Sequence, residues 1–368
     1  MAATVVGGAP DTEYLRAALG RAGRPDDVQL LAIERLTEGR VNAGVSRLRT
    51  TAGSFVWKPV SRKSWIHTAL GGGVGEAELW LAGATRELPP PLACPTIDVA
   101  DHAEADEWWI LMDDVAGGIW APSHYDETAI RWLLSGIAGM HARWWGRDEE
   151  LARLPLPTLD AATGAVAGAT RLAAGAGPAP DWARDAVDNL WIVRTFVPRF
   201  LETLDPADAD FYVQMCADRR SWMSRLEALP RTLLHNDLRR ANMAFLPDRI
   251  SVFDWERASA GPVGVDLQWF WFLRFWAYPP ADGKTVADRA PLLDEYVDTL
   301  AALGAPVDRR ALEIGFDLGW LAVLAQIGWL LVDPLTSPGH TDDDVARARR
   351  NCREAIAAAR RALDTHLR

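Results

Sequence analysis

The hydrophobic pattern of this chain changes character near Asp113-Asp114, and that change constrains the fold more than any other feature. The part before it contains strand-like runs at 30–36, 45–50, 54–58, 96–99 and 108–112. The link Thr50-Thr51-Ala52-Gly53 between two of these runs predicts a tight hairpin. Two helices are predicted in the same part, at 11–20 and 75–86. The first third of the chain is therefore predicted to be a small mixed α and β unit.

The part after Asp114 has an almost wholly helical pattern. Apolar residues recur at helical spacing in the first segment, at Ile130, Leu133, Leu134, Ile137 and Ala138. Further helices are predicted at 181–204, 207–228, 285–303, 308–332 and 342–366. Residues 156–180 are rich in Ala, Gly, Pro and Thr, and we interpret them as a loop or a weak helix. Short strands interrupt the helices around 232–254. We predict an α+β fold with a small lobe at 1–114 and a large, mostly helical lobe at 115–368.

Composition excludes several classes of function. The formal net charge of −11 argues against a nucleic-acid-binding protein, which needs clustered cations. Cys94, Cys216 and Cys352 are scattered, which indicates reduced thiols rather than a disulfide framework. The apolar run Leu318–Val332 is interrupted by Gln326 and is too short to cross a bilayer, so it predicts a buried helix. No secretory signal is visible, and we expect a cytoplasmic protein that binds no membrane.

The segment from His235 to Asn242 concentrates polar residues between two apolar runs, and Asp254 follows a further apolar run twelve residues later. Phosphoryl transfer requires a carboxylate that orients and deprotonates the attacking hydroxyl, and oxygen ligands for magnesium. Asp237 is the candidate for this carboxylate, which would act as the base. Asn242 and Asp254 are the candidates for the magnesium ligands. Mg²⁺ prefers hard oxygen donors and keeps several waters, so two protein groups plus phosphates suffice.

The pattern H-x-D-x-x-x-x-N alone is weak evidence, because it fixes only three positions and ordinary polar loop residues would explain it. The flanking strands and the strand-borne Asp254, followed by Trp255-Glu256, favour the functional interpretation. We expect His235 to anchor the loop by hydrogen bonds rather than to transfer protons.

This segment resembles the signature of the aminoglycoside phosphotransferase-like branch of the protein-kinase-like superfamily, which includes small-molecule kinases. Members usually carry H-G-D-x-x-x-x-N followed by D-W or D-F. This chain has Asn236 at the glycine position, and Arg239-Arg240 where His-Pro is usual. The run after Asp254 is also similar, and the resemblance implies that Asp266 is a structural acid supporting the active-site loops. It also implies a bilobal kinase-like fold whose small lobe has an antiparallel sheet plus a helix.

The resemblance implies an ATP-anchoring lysine on the third strand of the small lobe. Lys58 lies there, and it is one of only three lysines in the chain, whereas a surface lysine at a strand edge is the alternative. A helix carboxylate should orient this lysine. Glu76 and Glu78 both lie in the next predicted helix, on different faces, and we favour Glu76 because it is in better phase with the apolar pattern.

Two backbone segments complete the nucleotide site that the resemblance implies. The turn at 38–44 lies where kinases place a loop over the phosphates, and we assign Gly39, Asn42 and Gly44 to it. An ordinary hairpin loop is the alternative, since the turn lacks G-x-G-x-x-G. The segment from Asp113 to Val115 is the predicted hinge that offers backbone groups to adenine.

The predicted activity is transfer of the γ-phosphate of ATP, with Mg²⁺, to a hydroxyl group of a small molecule. A sugar, aminocyclitol, nucleoside or other antibiotic, or a related metabolite is the expected acceptor, and antibiotic resistance is a role that family analogy suggests. The alternative is a catalytically inactive nucleotide-binding pseudokinase, which the intact Asp237, Asn242, Asp254 and Lys58 argue against. A protein kinase is disfavoured, because Trp-Glu rather than Phe-Gly follows Asp254. The sequence predicts no oligomeric state.

Overall fold

A computed structural model of the protein describes residues 10–36, 44–70, 75–119, 126–176, 181–189, 191–277 and 290–367. The predicted loop residues Gly39 and Asn42 lie outside these ranges, as do residues 285–289 of a predicted helix.

Ten strands lie within the described ranges. In chain order they are β1 Leu30–Arg35, β2 Ser46–Thr50, β3 Gly53–Ser61, β4 Leu92–Ala93, β5 Thr96–His102, β6 Glu107–Asp113, β7 Thr232–Leu234, β8 Met243–Phe245, β9 Ile250–Val252 and β10 Ser259–Gly261.

The helices of the described ranges occupy most of the chain after residue 126. In chain order they are α1 Thr12–Arg21, α2 Trp65–Ala69, α3 Glu76–Leu81, α4 Glu127–Trp144, α5 Asp148–Arg153, α6 Leu159–Ala173, α7 Asp181–Asn189, α8 Trp191–Glu202, α9 Pro206–Ala217, α10 Arg220–Glu227, α11 Val263–Trp271, α12 Ala290–Ala302, α13 Arg309–Ile327, α14 Asp333–Thr336 and α15 Asp342–His366.

The N-terminal part is built on an antiparallel sheet with strand order β1-β2-β3-β6-β5. The predicted hairpin between β2 and β3 is present, with Thr50 opposite Gly53. Gly53 has φ +116, a conformation that side chains with a Cβ rarely adopt, so a glycine is required at this turn. The α+β fold with an N-terminal antiparallel sheet and a helical C-terminal part, predicted from the sequence, is confirmed.

Helix α3 packs on one face of this sheet and thereby positions its first residue. Ala77 and Trp80 of the helix are buried in one cluster with Val99 and Ile110 of the sheet. Glu76, the first residue of the helix, is also buried. The sequence predicted a helix as far as Arg86, but α3 ends at Leu81 and Gly83 follows with φ +82.

The short strands of the C-terminal part form two small sheets around the predicted catalytic loop. β7 pairs with β10, and β8 pairs with β9. β4 also pairs with β9, in parallel, so a segment preceding Asp114 is tied by backbone hydrogen bonds to the sheet beside the loop. The division of the chain at residue 114 stays a prediction.

Of the two alternatives predicted for residues 156–180, a loop or a weak helix, the structure has a helix over most of the range. Helix α6 spans Leu159–Ala173, with Thr158 as its N-cap, and four of its alanines are buried: Ala162, Ala165, Ala167 and Ala169. Alanine has the highest helix propensity, while the two glycines serve close packing rather than a loop. A Cβ on Gly164 would lie 2.6 Å from Arg219, and one on Gly168 would lie 2.5 Å from the ring of Trp182.

The long apolar helix predicted at 308–332 is the central helix of the core. Together with the turns after α13, it runs from Arg309 to Thr336, and these 28 residues are long and apolar enough to cross a membrane by length and composition. This helical segment is longer than the apolar run Leu318–Val332 from which a buried helix was predicted. The most apolar window is 83% buried inside the protein, as in a core helix.

Candidate active site

The loop after β7 is held by a buried carboxylate on α11. The Asp266 side chain accepts the backbone N–H of His235 at 2.8 Å and that of Asn236 at 2.6 Å. It also contacts His141 Nε2 at 3.2 Å, and His141 Nδ1 lies 2.6 Å from the hydroxyl of Tyr296. The predicted supporting role of Asp266 matches these contacts. No local pattern points to the contact between His141 and Tyr296, because the two residues are 155 positions apart.

Asn236 occupies the position where relatives of the predicted family usually have glycine. Its φ is +57, in the left-handed region, which Asn tolerates better than other residues with a Cβ. Its Nδ2 donates to the carbonyl oxygen of Arg257 at 3.0 Å and to Oγ of Ser259 at 2.7 Å. Asparagine in place of the usual glycine therefore keeps the sharp turn and adds two hydrogen bonds to the neighbouring segment.

Asp237 lies at the tip of this turn with its carboxylate buried except for a narrow exposed edge. Asn242 Nδ2 donates to Asp237 Oδ2 at 2.9 Å, and Arg239 Nε lies 3.1 Å from the same oxygen. The Asn242 amide group thus has its nitrogen on Asp237, which leaves its oxygen as the acceptor for a cation.

His235 joins the two loops of the site, as predicted. The Asp237 N–H donates to His235 Nδ1 at 3.2 Å, so the ring proton is on Nε2, which lies 3.0 Å from the carbonyl oxygen of Phe253. Both ring nitrogens are therefore engaged in holding backbone.

Three chain segments meet at Lys58. Its Nζ lies 2.8 Å from Glu76 Oε2 and 2.6 Å from Asp254 Oδ1, and the second oxygen of Glu76 accepts the Asp254 N–H at 3.1 Å. Glu78 instead accepts a hydrogen bond from Trp108 Nε1 at 2.7 Å. The structure thus pairs Lys58 with Glu76 rather than with Glu78.

The charges of this cluster shift one another's ionisation. Burial opposes the charged form of Lys58, but Asp254 and Glu76 outweigh it and hold the pKa of the lysine above its ordinary value. Burial opposes ionisation of Asp254 too, yet Lys58 and Arg239 hold its pKa below the usual value. Burial and the neighbouring Asp254 raise the pKa of Glu256 to about 7. The lysine and Asp254 are therefore a charged pair, with Glu256 as a further carboxylate beside them.

Arg239 spans the predicted base and one predicted magnesium ligand. Besides its contact with Asp237, its Nη2 lies 3.9 Å from Asp254 Oδ2. Phe253 N–H donates to the Asn242 carbonyl oxygen at 3.1 Å, which continues the β8–β9 register up to the loop. Asp237, Asn242 and Asp254 are thus brought together although they come from two loops.

The remaining predicted nucleotide residues are less closely linked to this cluster. Gly44 packs against β3, where a Cβ would lie 2.6 Å from Pro59 Cγ. The Asp113 N–H donates to the Pro95 carbonyl oxygen at 2.9 Å, and its carboxylate binds Arg24. The Val115 carbonyl oxygen accepts the Gly118 N–H at 2.9 Å. Roles for Gly44, Asp113 and Val115 in nucleotide binding stay predictions.

The described residues contain no group of three His, Cys, Asp or Glu side chains arranged to hold a metal ion. The predicted magnesium site does not require one, since one carboxylate, one amide oxygen and the phosphates of a nucleotide provide the ligands. The donor chemistry at Asn242 and Asp254 fits Mg²⁺.

A profile of the phosphotransferase enzyme family matches residues 33–299 of this sequence, which is more than half of the chain. The chain belongs to that family. It is therefore a phosphotransferase, and the resemblance stated from its motifs is confirmed. A search of curated proteins found no match.

Solved structures similar to this phosphotransferase share its fold at low sequence identity. A choline kinase from Cryptosporidium parvum Iowa II has a TM-score of 0.54 at 12% identity, covering 97% of this chain and 98% of its own. An amicoumacin kinase in complex with AMP-PNP, Ca²⁺ and Ami has a TM-score of 0.52 at 14% identity, covering 93% of both chains. An ethanolamine kinase from Plasmodium vivax has a TM-score of 0.51 at 10% identity, covering 94% and 87%.

Proposed function

We propose that the protein transfers the γ-phosphoryl group of ATP, in the presence of Mg²⁺, to a hydroxyl group of a small molecule. One observation carries the proposal. A single guanidinium, that of Arg239, contacts both Asp237 and Asp254, so the base and a magnesium ligand lie side by side, next to Lys58. Phosphoryl transfer depends on such positioning and on charge stabilisation rather than on covalent chemistry by the protein.

Asp237 orients the acceptor hydroxyl and takes its proton as the oxygen attacks the γ-phosphorus and ADP leaves. The hydrogen bond from Asn242 and the contact with Arg239 fix the carboxylate before the acceptor binds. Such preorganisation removes the cost of ordering the base in the transition state.

Lys58 binds the α- and β-phosphates of the nucleotide, and Glu76 keeps its ammonium in place. In this structure the ammonium also contacts Asp254, so this pair separates in part when the nucleotide supplies its own negative charge. When bound by Asn242 and Asp254, Mg²⁺ neutralises the charge of the phosphate oxygens.

The acceptor class is proposed from the relatives. The similar structures include kinases named for choline, ethanolamine and amicoumacin, all of them small molecules. A hydroxylated metabolite or antibiotic is therefore the acceptor we propose, with self-protection against an antibiotic as one biological role.

The test is release of ADP from Mg-ATP in a screen of hydroxylated metabolites and antibiotics, followed by the mass of the product. Asp237→Asn is expected to lower kcat about 10²- to 10⁴-fold, the usual contribution of a general base, while a fluorescent ATP analogue still binds. Asp248→Asn is a matched control, because that carboxylate is exposed and, among the described residues, pairs with the adjacent Arg249 alone.

The pseudokinase alternative predicts a different result. A wild type that binds nucleotide but releases no ADP with any acceptor or with water would support the alternative and contradict the proposal. Equal activity of the wild type and Asp237→Asn would contradict the role of Asp237.

A further inference from the structure

Arg257 is a buried arginine that has no acidic partner among the residues that the structure describes. The residue has a relative exposure of 8%. Among the residues that the structure describes, no carboxylate forms an ion pair with it, and its Nε has no hydrogen-bond partner. Arginine is charged at all physiological pH values, and buried charges in proteins are nearly always paired. An anionic partner from outside the described chain would satisfy this group.

The position of Arg257 is beside the catalytic loop. Its carbonyl oxygen accepts a hydrogen bond from the side chain of Asn236, the residue before the proposed base. Two residues further on, Ser259 pairs with Leu234 across the β7–β10 sheet. Burial lowers the pKa of Arg257, and the carboxylate of Asp237 opposes that effect, in keeping with their proximity. A ligand on Arg257 would therefore lie near the base.

The guanidinium is oriented by two helices of the C-terminal part. Its Cζ lies 4.7 Å from the centre of the Trp269 ring on α11, and its Nη2 donates to Oε1 of Gln326 on α13. Gln326 is itself fixed, since its Nε2 donates to the Ala322 carbonyl oxygen at 2.9 Å. This glutamine is the polar residue that interrupts the apolar run Leu318–Val332, and it is buried. A polar side chain in the core helix thus aims the guanidinium.

The contacts of Arg257 distinguish it from the nucleotide cluster. Lys58 is held by Glu76 of α3 and by Asp254, whereas the guanidinium of Arg257 bonds Gln326 of α13 and lies over the ring of Trp269 of α11. Arg257 is therefore better placed for the acceptor than for the nucleotide.

We propose that Arg257 binds a carboxylate of the acceptor, so that the substrate of this enzyme is a hydroxylated carboxylic acid. This inference rests on the proposed function and specifies its acceptor. Nη2 donates to Gln326, and Nε has no hydrogen-bond partner among the described residues, so the guanidinium keeps a donor for a ligand. A planar guanidinium suits the two oxygens of a carboxylate.

The net charge of −11 attracts cationic ligands at long range, whereas the proposed acceptor is an anion. That preference is screened by salt within about 10 Å, whereas a buried bidentate contact is not. The contact decides which acceptor binds, and the surface charge affects only the rate of encounter.

The first experiment compares acceptors that differ in charge but not in size. Sugar acids, neutral sugars and amino sugars form one matched set, and hydroxy acids, diols and amino alcohols form a second. Release of ADP from Mg-ATP is measured for each with the full-length enzyme. We expect the highest kcat/KM among the carboxylates. If the best acceptors are amines or neutral compounds, or if no carboxylate raises ADP release above that with water, the inference is wrong. Failure of the proposed function looks different, since then no compound and no water yields ADP.

The second experiment removes the charge from either partner. For the best acid and its methyl ester, wild type should prefer the acid about 10- to 100-fold in kcat/KM, the range for a charge-assisted hydrogen bond. Arg257→Gln should abolish the preference by raising KM for the acid alone, and Arg257→Lys should retain part of it. Arg309→Gln, at an exposed position, serves as the control.

Two results would overturn the assignment of Arg257. An equal loss for the acid and the ester in Arg257→Gln would mean that the arginine only supports the fold. A rise of KM for ATP with both acceptors would mean that the guanidinium binds a phosphate of the nucleotide. If Arg257→Gln does not fold, the acid-to-ester ratio of Arg257→Lys decides, because an unchanged ratio contradicts a bidentate contact.

Discussion

Replacing Asp266 by asparagine tests how the catalytic loop is held. The carboxylate accepts three hydrogen bonds in the protein interior: His235 N–H at 2.8 Å and His141 Nε2 at 3.2 Å on Oδ2, and Asn236 N–H at 2.6 Å on Oδ1. An asparagine of the same shape has only one oxygen. Its amide nitrogen must face either one or two of the three donors.

The orientation of the asparagine side chain that has the lower energy determines the expected loss of stability. With the oxygen on the Oδ2 side, one charge-assisted hydrogen bond is lost, at about 1.5–3 kcal/mol, and the Asn236 N–H is left facing another donor. The opposite orientation loses two bonds and costs about twice as much. We therefore expect Asp266→Asn to lower the free energy of unfolding by about 2–4 kcal/mol. We also expect kcat to fall about 100-fold, because a loop displaced by about 1 Å misplaces Asp237.

Urea unfolding and ADP release measure the two effects on the same samples. Asp317→Asn is the control, since that carboxylate is exposed and bonds only His366, and its effect should lie within about 0.5 kcal/mol. A loss of stability below about 1 kcal/mol for Asp266→Asn would refute the reasoning. So would an unchanged kcat in a destabilised variant, because the loop would then hold its geometry without Asp266.

Three further predictions concern other parts of the molecule. Glu76→Gln should weaken binding of a fluorescent ATP analogue about tenfold and Glu78→Gln should not, because only Glu76 contacts Lys58; equal affinities would contradict the pairing. Asn236→Ala should be less stable than Asn236→Gly by about 1 kcal/mol in urea unfolding, because φ is +57; the reverse order would contradict strain at this turn. Burial raises the pKa of the Cys216 thiol to about 12, so the folded state keeps its proton where the unfolded state, with an ordinary pKa near 9, loses it. Stability should therefore fall as the pH rises above about 9, and Cys216→Ala should show a smaller fall in pH-dependent thermal unfolding.

Local patterns predicted the parts of the molecule that local interactions build. The β2–β3 hairpin, α4 and α15 follow from alternation, helical spacing and turn residues close in sequence. The cluster of Asp237, Asn242 and Asp254 was also predictable, because a short strand pair brings the two loops together within 18 residues.

The sequence alone failed where distant partners decide the structure. The sequence left residues 156–180 open between a loop and a weak helix because alanine and glycine also occur in linkers, whereas α6 packs against Trp182, Arg219 and other distant residues. The choice between Glu76 and Glu78 rested on phase, and the contacts that separate them, Lys58 and Trp108, lie 18 and 30 residues away.

The acceptor side of the active site shows why a motif specifies the reaction more readily than the substrate. The residues proposed to activate the hydroxyl and the phosphate lie in short segments with fixed spacing, because their geometry must be the same for every acceptor. Arg257 and Gln326 lie 69 residues apart, on a turn and in the middle of a core helix, and neither has a neighbour in sequence that signals its contact. The distance between their side chains in space depends on how α11 and α13 pack. With the role proposed for Arg257, acceptor preference in this protein depends on how these helices pack behind the loop.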